Sequence, residues 1–101
     1  MESMNTKNQL QEKAVAFDLI KGEFTAEEAQ EILMHMLQKK ISFHEMKIFS
    51  KDIRFGETDE ASIKRIEELR KTKNECKAFL KEAIENGRKL RVKTYTEIEM
   101  I

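Results

Sequence analysis

The residues of this chain that could do chemistry are few, and each lacks a partner that its chemistry needs. His44 and Glu45 open the pattern of a zinc-peptidase helix, where two histidines four apart hold the metal and the glutamate between them acts as base. The second position is Ile48, so the ligand set cannot be assembled. Glu45 reads better as part of a helix cap, and His44 as an exposed first-turn residue. Glu31 and His35 also lie four apart on one helical face. A metal takes three or four protein ligands, and only Glu28 and His44 are near in sequence. A solvated polar face explains the pair with less.

Cys76 is the single cysteine. A nucleophilic role needs a base beside it, and neither histidine is close in sequence. Lys73 and Lys77 would lower its pKa, but its place on an apolar stripe points to packing. Met34, Met36 and Met46 are read as core filling rather than an adaptable binding face. No glycine lies within thirty residues of another, so no phosphate loop can form, and there is no serine nucleophile elbow. The expectation is therefore a non-enzymatic protein with no cofactor, no metal and no disulfide.

Three glycines punctuate the 101 residues, and there is no proline. Gly22, Gly56 and Gly87 are read as helix ends, where the left-handed conformation is common. A first helix is expected from about 8 to 21, with Leu10, Ala14, Phe17 and Ile20 on one stripe. A second begins at the capping box Thr25/Glu28, buries Ala26, Ala29, Ile32, Leu33, Met36 and Leu37, and ends at Lys39 and Lys40. A third begins at a further box, Ser42/Glu45, turns Phe43, Met46, Phe49 and Ile53 inward with Ile48 and Phe55 beside them, and ends at Gly56. The fourth runs from an N-cap at Thr58 to about Asn86. The tail from Leu90 to Ile101 alternates with a period of two, as a strand does, and no second strand is evident to pair with it.

The fold class expected is mainly α, an all-alpha helical bundle: three N-terminal helices, a long fourth helix and a short β-strand-like tail. The chain is taken as one helical domain over 1–101, with its core at about 8–70 and an association segment at about 76–101. The polar stretch Arg70–Glu75 marks where the fourth helix is expected to leave the bundle.

Charge adds a polarity. Net charge is zero, which argues against a generic nucleic-acid binder. Residues 1–36 carry three basic and seven acidic groups, and the remainder sixteen and twelve. On the fourth helix Arg70, Lys73, Lys77 and Lys81 flank the apolar residues Ile66, Leu69, Cys76, Leu80 and Ala83. That pattern suits a basic rim made to meet an acidic surface, on a partner helix or on the chain's own first half. The leading expectation is a protein-interaction or adaptor module, a homodimer or partner of another protein. Its candidate surface is Arg70, Lys73, Cys76, Lys77, Phe79, Leu80, Lys81, Ile84, Leu90, Val92, Tyr95 and Ile98. The alternative is a nucleic-acid-binding regulator using the 43–55 helix, read with the second helix as a helix-turn-helix, or using the basic stripe. Residues 1–13 hold no apolar run of the kind a secretory leader carries, no stretch approaches a membrane span, and a lone thiol suits a reducing compartment. A cytoplasmic setting is expected, with no membrane partner.

Overall fold

A computed structural model describes residues Lys13–Ile101. The elements run β1 (Ala14–Phe17), β2 (Lys21–Thr25), α1 (Ala26–Phe55), α2 (Glu60–Glu85), β3 (Lys89–Lys93) and β4 (Thr96–Glu99). Contacts group them into two compact units, Phe24–Leu90 and the two chain ends beyond it. Among the described residues, two helices and two small antiparallel sheets stand in place of the expected three-helix bundle with a fourth helix. The chain is mainly helical, but neither all-alpha nor a helical bundle.

The helical unit is a hairpin. α1 begins at Thr25, whose hydroxyl accepts the Glu28 N–H at 3.0 Å while the Glu28 carboxylate accepts the Thr25 N–H at 2.9 Å. Two otherwise orphaned donors are thus satisfied reciprocally. The helix then continues without a break to Phe55. The second and third expected helices are one, and the Ser42/Glu45 box does not form. No glycine or proline interrupts residues 26–55, and Ile41, at the expected link, is 0% exposed. Burying Ile41 against Ile66 and Leu69, with Leu37 and Ile48 packed beside them, holds the backbone helical through the site of the cap. The helix-turn-helix reading falls with the turn it requires.

Continuity also fixes the phase of α1. At about 100° per residue, Phe43, Met46, Phe49 and Ile53 lie ~80–200° round from Ile41. They therefore point outward, at 55%, 65%, 60% and 66% exposure, where the separate third helix would have turned them in.

Gly56 ends α1 in the left-handed conformation, φ 62°, and its N–H bonds the Asp52 carbonyl at 2.8 Å. The cap of α2 is Asp59, one residue beyond Thr58, and its carboxylate accepts the Ser62 N–H at 3.0 Å. α2 does not leave the core at Arg70–Glu75. Leu80 and Ala83 are buried beyond that stretch, and Arg70 and Lys73 reach across the seam to α1. Asn86 caps the end, and Gly87 turns the chain at φ 61°.

The described part of the expected first helix is strand. β1 pairs antiparallel with β4 in the register Ala14↔Glu99, Val15↔Ile98, Ala16↔Glu97 and Phe17↔Thr96. β2 pairs with β3, and Gly22, expected as a helix end, lies inside β2. Between the two pairings, Ile20 and Thr94 close the gap through two 2.9 Å bonds. The C-terminal strand thus has its partners in its own chain. Apolar residues at 14, 17 and 20 fit a helical stripe, but Val15, Phe17 and Leu19 also fit a strand, and long-range pairing decides between them. Leu10 and the rest of 8–12 lie outside the described residues.

Candidate interaction surface

His44 has a neighbour that its sequence position conceals. Its Nδ1 lies 3.2 Å from the Ser62 hydroxyl, which donates to Asp59 at 2.9 Å. Histidine, serine and aspartate are thus in one chain of hydrogen bonds, but its polarity is wrong for nucleophilic catalysis. The serine proton goes to the carboxylate, so His44 must donate through Nδ1–H rather than accept. Ser62 is also buried, at 3% exposure. The chain of bonds ties the α2 cap to α1.

Its electrostatics follow from that role. Asp59 is held below the usual carboxylate range by the Ser62 N–H and hydroxyl, with help from Lys51 and Lys47. His44 is pushed below the ordinary imidazole value, first by burial and then by Lys40, Lys47 and Arg65, with Asp59 opposing. Its Nε2 is covered and has no partner among the described residues, so a proton placed there would find no acceptor.

Cys76 is half-buried, and burial pushes its thiol pKa up. That opposes thiolate chemistry. Glu31 and His35 share one shallow depression with Ile32, Met36 and Lys73. Among the described residues no three histidine, cysteine or carboxylate groups come together as a metal site.

The residues expected to form an association surface fall in separate places. Arg70 bonds Glu45 of α1 at 3.2 Å, and Lys73 donates to Gln38 at 2.9 Å. These two cations of the basic rim thus find partners within the chain itself, an acid for Arg70 and an amide oxygen for Lys73. Leu80 is in the core at 1% exposure. Lys77, Lys81 and Ile84 line one depression of the helical unit, and Phe79 and Leu90 another. Val92 is half-buried in β3, while Tyr95 and Ile98 stay exposed.

Among the described residues, apolar faces remain open on the β1–β4 ribbon and on α1. On the β1–β4 ribbon, directly paired residues share a face, so Val15, Phe17 and Ile98 lie together, all exposed. On α1, Phe43, Met46, Phe49 and Ile53 form the outward stripe. Lys40 and Lys47 each place their Nζ 5.6 Å from the centre of the Phe43 ring, and the His44 ring meets it edge-on at 5.3 Å. Reading residues 43–53 as a separate helix hid this stripe. The signal that would have found it is the phase of Leu37, Ile41 and Ile48, carried unbroken across 39–42. No protein-family model, curated protein or solved structure matches the chain. Among the described residues no helix is long and apolar enough to cross a membrane.

Proposed function

We propose that this chain is a non-enzymatic protein-interaction module whose main docking surface is the outer face of α1. The observation that supports it is the stripe Phe43, Met46, Phe49 and Ile53, more than half exposed at every position. Contiguous apolar area of this kind on a folded domain is typically a contact surface. Separately, in the unit formed by the chain ends, Tyr95 and Ile98 are exposed. A reducing, cytoplasmic setting fits the single cysteine, and cell fractionation tests that placement.

A photo-crosslinking residue in place of Phe49, in the producing cell, tests the surface. Protein adducts are expected from that position and not from a crosslinker at exposed Glu75. Absence of adducts from position 49 overturns the reading.

A second reading, a nucleic-acid surface on residues 43–55, draws on Lys47, Lys51 and Arg54 in that segment, with Lys40 just before it. It requires duplex binding that weakens steeply with salt, and absence of binding at low salt excludes it.

A further inference from the structure

We infer that the occupant of the α1 outer face is a second copy of this chain, packed parallel so that Phe43, Met46, Phe49 and Ile53 meet their counterparts across a two-fold axis. The inference rests on the interaction-module reading and names its partner.

Charge supplies the first argument. Around α1, Lys40 and Lys47 lie roughly 100–120° to one side of Met46, and Glu45 and Asp52 roughly 100–120° to the other. A two-fold axis along the helix sets the basic flank of each copy against the acidic flank of the other. An axis across the helix would set basic against basic. Charged borders of an apolar seam select orientation in this way. The flanks are also available. Among the described residues Lys40, Lys47 and Asp52 have no opposite charge within 4.0 Å, and Glu45 is half-exposed beside Arg70. A lipid surface would meet both flanks at once and favour the basic one alone.

Area supplies the second. A side chain of roughly 200 Å² at about 60% exposure offers ~120 Å². The four residues then give about 500 Å² per copy and about 1,000 Å² per pair, the size at which specific interfaces begin. Phe43 is held between two lysines and against His44, so less freedom is lost when it docks.

Sedimentation equilibrium on the full chain at about 100 μM, a range suited to an interface this small, tests the inference. The expected mass is twice 11.9 kDa. Phe49→Glu, at an exposed site, is expected to keep its helical circular dichroism and to weaken the dimer roughly thirty-fold or more, as loss of a central contact does. Lys40→Glu/Lys47→Glu and Glu45→Lys/Asp52→Lys are each expected to dimerise less, and a mixture of the two to form a heterodimer. A monomeric wild type, or a dimer indifferent to Phe49→Glu, overturns the inference. Flank variants that each dimerise as well as the wild type overturn the parallel arrangement, because an antiparallel pair already sets like charge against like. If the wild type is monomeric while position 49 still crosslinks another protein, the second copy is wrong and the module reading stands. Monomer with no adduct removes both.

Discussion

Replacing Ile41 and Ile53 separately by alanine discriminates the observed phase of α1 from the one in which the 43–53 stripe faces inward. Both changes delete the same three carbons from the same helix, so helix propensity shifts equally and cancels in the comparison. Ile41 is fully buried among Ile66, Leu69, Leu37 and Ile48. Losing three buried carbons costs about 2.4 kcal/mol at ~0.8 per group, and the residual cavity adds on the order of 1 kcal/mol. The expected loss is therefore about 3–4 kcal/mol, a large share of the roughly 5–15 that holds a small domain. Ile53 is 66% exposed, so only about a third of the transfer contribution, ~0.8 kcal/mol, is at risk and no cavity forms. Urea unfolding followed by far-UV circular dichroism gives both values, at a protein concentration low enough to keep the chain monomeric, because association would bury Ile53 and add to its contribution. Equal losses, or a larger loss at Ile53, would refute the assignment of inward and outward faces. An Ile41 variant too unstable to fold beside a folded Ile53 variant would support it.

The α2 cap makes two acid-sensitive contributions. Because the folded pKa of Asp59 is lowered, its stabilisation is complete above the ordinary carboxylate pKa and fades as pH falls through the lowered value. Asp59→Ala should lower stability near neutrality through loss of the cap and flatten the stability profile below about pH 4; an unchanged acid limb would refute this. His44 acts in a different window. Its folded pKa is lowered, so the unfolded chain takes up the proton first, and stability falls as pH drops from about 6.5 toward the folded value. An imidazole titration by NMR at or above that ordinary value would contradict the burial argument. Gly56→Ala should cost roughly 1–2 kcal/mol. The added Cβ meets nothing within 4 Å, so the loss is purely that of the left-handed backbone, and Gly56→Asn should recover part of it in the same melts.

Much of α2 is legible in the sequence, and the reason is local. A short polar side chain ahead of acidic residues marks its start, and Gly87 marks its end. The Thr25/Glu28 box is legible for the same reason. What stays hidden depends on contacts distant in sequence. Ser42 and Glu45 have the spacing of a cap, yet Gln38 donates to Ser42 at 3.3 Å within an unbroken helix. The burial of Ile41 by Ile66 and Leu69 outweighs the local signal. Phe17 satisfies two periods at once, and the choice is made by residues some eighty positions away. The candidate surface followed the same division. A basic rim on α2 could be read from spacing, but which of its cations were already satisfied could not, because Glu45 and Gln38 belong to the other helix. Once those partners are assigned, Arg70 and Lys73 drop out of the uncommitted chemistry, and the far side of α1 comes forward. There an apolar stripe and two charged flanks of opposite sign remain, a combination that one copy of the helical hairpin does not satisfy.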